Sequence, residues 1–273
     1  MTTTPQPLLQ ASSVTMRFGG LTAVDSVDLT VGAGEIVGLI GPNGAGKTTF
    51  FNCLTGLYVP TEGEVRFDGA VLPPRPAKVT RAGIARTFQN IRLFANMTAL
   101  ENVMVGRHTR TGAGLFSAIG RGPRYRREER ESQERGRELL SFVGLDKEAG
   151  QLSRNLSYGA QRRLEIARAL ASEPRLLLLD EPTAGMNPQE TRETEELVHA
   201  VRDQGIAVLV IEHDMRFIMN LCDRVAVLVQ GSKLIEGAPA AVQADERVVE
   251  AYLGAPDDEE DLTTDWMNQE KAV

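Results

Sequence analysis

Glu35-Ile36-Val37-Gly38-Leu39-Ile40-Gly41-Pro42-Asn43-Gly44-Ala45-Gly46-Lys47-Thr48-Thr49-Phe50-Phe51-Asn52-Cys53-Leu54 runs an apolar segment, a glycine-rich loop and a helical stretch together without a break. Residues 41–48 fit G-x-x-x-x-G-K-[ST], a pattern that carries meaning only when a strand delivers the loop and a helix leaves it. Both conditions hold: residues 35–40 read as a short buried strand, and residues 47–54 have helical spacing. Glycines 41, 44 and 46 let the backbone curl so that successive N–H groups point at a phosphate, and the following helix adds its positive end. Lys47 is placed to reach β- and γ-phosphates, Thr48 to set its hydroxyl on Mg²⁺ and Thr49 to touch the α-phosphate, with Pro42, Asn43 and Ala45 completing the loop. The stretch therefore implies an α/β fold that binds a nucleotide.

Downstream, Arg175-Leu176-Leu177-Leu178-Leu179-Asp180-Glu181 is an apolar strand ending in two carboxylates. A buried parallel strand delivers side chains to its carboxyl end, where open α/β sheets bind ligands. Asp180 is expected to hold Mg²⁺, and Glu181, one residue on, to face an attacking water as general base. Phosphate loop and carboxylates together imply ATP hydrolysis.

The rest of the chain organises around these two stretches. Residues 8–18 and 21–31 alternate like strands across a Gly19-Gly20 turn and suggest a hairpin, and 61–68 read as a further turn and strand. From 91 to 155 the character changes: 98–105 and 128–143 have helical periodicity around a glycine-rich stretch, 111–122, that reads as a loop. In the second of these helices Glu131 and Arg135 have the spacing of an i,i+4 ion pair, beside a basic run at 121–127. Helix (160–171), strand (176–179), helix (189–204) and strands (207–212, 224–230) then alternate, which argues for a mainly parallel sheet covered by helices. The acidic, apolar-poor segment 255–273 reads as a disordered tail.

Composition narrows the function classes. With 273 residues, 42% hydrophobic and 25% charged, the chain can bury a substantial core. A net charge of −7 and a pI near 5.2 disfavour general nucleic-acid binding. The apolar runs fall far short of the roughly 20 residues of a membrane span, and residues 1–7 lack the features of a secretory signal. Cys53 and Cys222 stand far apart and read as core thiols in a reducing compartment.

The order of the motifs resembles the ATP-binding cassette (ABC) ATPases over about residues 8–254. Leu156-Ser157-Tyr158-Gly159-Ala160-Gln161-Arg162-Arg163 is similar to their signature, with Tyr158 and Ala160 where the common form has glycine and glutamine. The resemblance implies a P-loop NTPase of ABC type: a mainly parallel sheet, an antiparallel β-subdomain, a core of 8–90 and 156–254, and a helical subdomain inserted at 91–155. It implies that Ser157 and Gly159 bind the γ-phosphate of a nucleotide held by a second ATPase subunit, a paralogue or another copy. Gln89, in Thr87-Phe88-Gln89-Asn90, corresponds to the glutamine that contacts Mg²⁺ and senses the membrane partner. His213, in Ile211-Glu212-His213-Asp214, corresponds to the switch histidine on the γ-phosphate, and Phe18 to the aromatic that stacks on adenine. Asn187 stands where an aspartate is usual, which would alter the electrostatics at the subunit contact.

Phe18-Gly19-Gly20-Leu21, Arg86-Thr87-Phe88-Gln89-Asn90-Ile91-Arg92-Leu93-Phe94, Ile211-Glu212-His213-Asp214-Met215 and Ala251-Tyr252-Leu253-Gly254 look like the larger ATPase of bacterial branched-chain amino-acid importers. That implies a cytoplasmic subunit on the inner face of the cell membrane, docked on two permeases and served indirectly by an extracytoplasmic solute-binding protein. Export of lipid or another cargo is the rival within the class. An ABC protein of ribosomes or DNA would carry two cassettes or a long coiled-coil insertion, and a GTPase would carry an N-K-x-D guanine reader; the sequence has none of these.

Overall fold

Three five-residue runs, Ile36–Ile40, Leu176–Asp180 and Ala207–Ile211, are buried at every position in the computed structural model, as strands covered on both faces must be. The structure describes residues 6–107 and 123–253. They fall into two compact units, Met1–Pro74 with Leu209–Val273, and Arg75–Val208.

In the first unit, β1 (Leu9–Phe18) and β2 (Leu21–Val31) form the expected antiparallel hairpin, and β4 (Glu62–Phe67) and β5 (Ala70–Val71) extend it to a sheet ordered β2-β1-β4-β5. β3 (Ile36–Ile40) pairs in parallel with β9 (Arg224–Val229), which β10 (Ser232–Gly237) flanks antiparallel. α1 (Lys47–Leu54) follows β3 through the glycine loop. Arg224 links this unit's strands: it donates to Glu35 at 2.9 Å, to the Thr30 carbonyl at 2.8 Å and to Glu236. α7 (Met215–Leu221) is capped by Asp214, whose carboxylate accepts the Phe217 N–H at 3.1 Å; α8 (Pro239–Gln243) and α9 (Glu246–Leu253) follow β10.

In the second unit, α2 (Pro76–Ala82) leads into β6 (Ile84–Arg86), which pairs in parallel with β7 (Leu176–Asp180). The helices are α3 (Ala99–Arg107), α4 (Pro123–Phe142), α5 (Tyr158–Leu170) and α6 (Pro188–Asp203). β8 (Ala207–Ile211) begins in this unit and ends in the first. The buried Asn102 side chain accepts the Phe94 N–H at 2.8 Å and donates to the Thr98 carbonyl at 3.0 Å, so the segment entering α3 is tied to that helix.

One expectation is corrected. Glu131 does not pair with Arg135: it accepts from Arg127, and Arg135 donates to Glu138, each at 2.8 Å. Glu131 has an arginine four residues away on either side, Arg127 and Arg135, and both are within reach of its carboxylate. α4 also starts at Pro123, upstream of the expected 128, with proline in the first turn where its fixed φ fits. The glycine-rich stretch 111–122, with the first two residues of the basic run, and the acidic segment 255–273 lie outside the described residues.

Candidate active site

The first unit carries the loop. α1 begins at Lys47 behind Gly46 (φ 95°), with no side chain capping its first turn, so the helix end is left for an anion. Only glycine suits position 46, because a Cβ there would stand 2.3 Å from the Ala23 carbonyl oxygen. A Cβ on Gly44 would meet nothing within 4 Å, so that side of the loop is open. The Lys47 ammonium donates to the carbonyls of Gly41 and Pro42, the latter at 3.1 Å, which holds the loop curled around a cation. A polyphosphate fits this arrangement. Thr48 and Thr49 occupy the same first turn.

Phe18 ends β1 with 43% of its surface exposed and meets Tyr58 edge-on, ring centroids 5.4 Å apart. His213 follows β8, half-exposed, and its backbone N–H donates to the fully buried Glu212 carboxylate at 3.0 Å.

The second unit carries the carboxylates. Leu176–Asp180 is drawn into the core by four leucines, which leaves Asp180 at the strand end in a buried ion pair with Arg86, 2.6 Å long. Thr87 extends the β6·β7 ladder: its N–H donates to the Leu178 carbonyl at 3.0 Å, and its hydroxyl oxygen accepts the Asp180 N–H at 3.4 Å. Glu181 sits at φ 47°, a strained conformation for a residue with a side chain and one that collects at functional sites. The chain turns there, and Glu181 takes a different partner from Asp180: Gln89 Nε2 donates to its Oε2 at 2.7 Å. That bond leaves the Gln89 side-chain amide oxygen, Oε1, to face a cation. Like the Asp180 carboxylate in this unit, it is a hard oxygen ligand of the kind Mg²⁺ takes.

Ser157 is the N-cap of α5; its Oγ accepts the Ala160 N–H at 3.3 Å. A Cβ on Gly159 would lie 2.6 Å from Glu190 Oε1, so a side chain in that turn would have to displace the end of the Glu190 side chain. Tyr158, which replaces a glycine of the common signature, points its hydroxyl to Arg162 at 3.1 Å. Asn187 caps α6 in a reciprocal box with Glu190, so the asparagine has a local structural use.

Arg86, Arg162 and Glu165 belong to the site's surroundings without a local signal in the sequence. Arg162, Glu165 and Arg168 recur every third residue along α5, but such runs usually line a solvated face. Here Arg162 and Glu165 are buried. Burial pushes the Glu165 carboxyl up, opposed by the Arg92 N–H and by Arg168 and Arg162; burial likewise lowers Arg168, opposed by Glu165.

A glycine loop feeding an uncapped helix, together with two carboxylates ending a buried strand, defines a P-loop ATPase. Residues 24–184 match the family described as ABC transporter, and residues 233–258 the one described as branched-chain amino acid ATP-binding cassette transporter. The chain belongs to the ABC transporter family, as one of its ATP-binding, ATP-hydrolysing cassettes. It is 46% identical to the high-affinity branched-chain amino acid transport ATP-binding proteins BraF of Pseudomonas aeruginosa and LivG of Escherichia coli K12, in each case over 91% of this chain and 98% of the relative. A probable LivG of Archaeoglobus fulgidus is 36% identical over 92% of this chain and 97% of its own length. Among solved structures, the ADP conformation of an ATP-binding cassette of an ABC transporter matches with a TM-score of 0.81 and 31% identity, covering 91% of this chain and 99% of that one. A dimeric post-hydrolysis cassette bound to ADP and Pi matches at 0.71 and 28%, covering 85% and 98%. Among the described residues, no helix is long and apolar enough to cross a membrane.

Proposed function

We propose that this cassette powers import of branched-chain amino acids, from the cytoplasmic face of the membrane, as one of two ATPase subunits on a pair of permeases served by an external binding protein. The names of the relatives and the match at 233–258 support the cargo class. In this reading residues 8–90 and 156–254 form the core and 91–155 the inserted helical part.

The observation that carries the chemistry is the division of labour at the end of β7, where Arg86 engages Asp180 and Gln89 engages Glu181. Residues 41–46 and the first turn of α1 bind the phosphates, with Lys47 on the β- and γ-phosphates and Thr49 on the α-phosphate, while Phe18 takes the adenine face. Thr48, Gln89 and Asp180 would hold Mg²⁺, which neutralises phosphate charge when bound. Glu181 accepts a proton from the attacking water as the new O–P bond forms and the bond to ADP breaks, and the γ-phosphoryl leaves as phosphate. His213 hydrogen-bonds the γ-phosphate, and Ser157 with Gly159 closes on the nucleotide of the neighbouring cassette.

Deleting the gene and measuring uptake of radiolabelled leucine tests the cargo. The reading expects uptake to fall and to return with the wild-type gene; unchanged uptake of leucine, isoleucine and valine would contradict it.

A further inference from the structure

The arginines of α5 hold backbone. Arg162 donates from Nη1 to the Phe88 carbonyl at 2.7 Å and from Nη2 to the Gln89 carbonyl. Glu165, 1% exposed, accepts the Arg92 N–H at 2.8 Å, and Arg168 donates to the Arg92 carbonyl. The Arg92 guanidinium in turn lies 4.3 Å from the centre of the Phe88 ring. Residues 88–92 are thus fixed by main-chain contacts to one helix, and only the Gln89 side chain reaches out of this bracket to Glu181.

A buried ionic network of this kind is poor support for stability, since a well-packed apolar replacement is often as stable; what it gives is geometry. A planar guanidinium can reach two neighbouring carbonyls and the Tyr158 hydroxyl at once, whereas a lysine ammonium is a single point.

We propose that Arg162 is a positioning residue for hydrolysis: by fixing the carbonyls of Phe88 and Gln89 it sets the reach of the Gln89 amide to Glu181, and so ties the first turn of α5, with Ser157 and Gly159, to the catalytic base. The proposal rests on the assignment of Glu181 as that base.

The test is steady-state ATPase kinetics on the full chain with its co-purified partners. Arg162→Lys is expected to lower kcat at least ~10-fold with KM changed less than ~3-fold, because the amide it positions bonds the base, while the phosphate loop that holds the nucleotide is untouched. In a Gln89→Ala background the same substitution is expected to cost less than ~2-fold more, since the group it positions is gone. Equal losses in the two backgrounds, or a rise in KM with kcat intact, would overturn the proposal. If Arg162→Lys does not fold, the pair Arg162→Met with Glu165→Gln removes both charges and carries the same expectations. Glu181→Gln measured in parallel separates the two claims: full turnover there removes the base assignment, whereas equal losses in the two Gln89 backgrounds remove the coupling alone.

Discussion

Asn187→Ala should cost stability rather than chemistry. Asn187 Oδ1 accepts the N–H groups of Gln189 at 2.9 Å and Glu190 at 3.1 Å, and Glu190 Oε2 accepts the Asn187 N–H at 3.1 Å. Alanine removes both accepted bonds but leaves an exposed helix end that water can reach, which puts the loss at about 1–2 kcal/mol. Asn187→Asp keeps both acceptors and adds a charge that the helix end favours by about 0.3–1 kcal/mol, while the nearby Glu190 carboxylate repels it, so its net change should stay within about 0.5 kcal/mol of zero. Urea unfolding followed by circular dichroism reads both variants, with equal m-values showing that the denatured states are comparable. An alanine variant as stable as the parent, or an aspartate variant as unstable as alanine, would refute the capping argument. The departure from the usual aspartate would then need an explanation at the subunit contact.

Three further expectations concern other parts of the molecule. Lys47→Ala should weaken nucleotide binding at least ~10-fold in a fluorescent-ATP titration, because the ammonium that braces the loop carbonyls is also the group aimed at the phosphates; unchanged affinity would contradict that role. Burial alone would raise the Glu35 carboxyl, but hydrogen bonds from Arg224 and the Gly32 N–H, with the Arg224 charge, hold it below its ordinary 4.5. Its folded-state pKa is therefore the lower one, so its stabilisation is present above pH 4.5 and lost as pH falls through the folded value; Glu35→Gln should flatten that acid limb, and an unchanged limb would exclude the linkage. Burial pushes the Cys53 thiol to about 11 and Cys222 higher still, so at pH 8 iodoacetamide should label neither until denaturant is added, and rapid labelling of the native chain, read by mass spectrometry, would show the burial to be wrong.

Much of this was legible in the sequence, for reasons visible residue by residue. Helix 47–54 lies where its spacing and the glycine loop put it, and the apolar runs at 176–179 and 207–211 are strands buried on both faces, short enough and bounded closely enough to favour strand over helix. The hairpin of β1 and β2 followed from alternation across Gly19-Gly20. β6 was not legible: three residues carry no period, and Ile84–Arg86 is a strand only because β7 lies beside it. The short helices 76–82 and 239–243 were likewise too brief to show a face. At the site, the glycine loop and the strand ending in two carboxylates are written locally, whereas Gln89 stood out only through the likeness to ABC ATPases. Arg86 and Arg162 escaped because their meaning lies in partners far along the chain, 94 residues away for Arg86 and Asp180, and 74 for Arg162 and Phe88.

In the proposed mechanism Glu181 activates the water that cleaves ATP. Single-turnover hydrolysis by Glu181→Gln, with ATP affinity measured on the same preparation, tests it most directly. Affinity close to the parent with hydrolysis slowed at least ~10²-fold is expected; turnover at the parental rate would remove Glu181 from the base role.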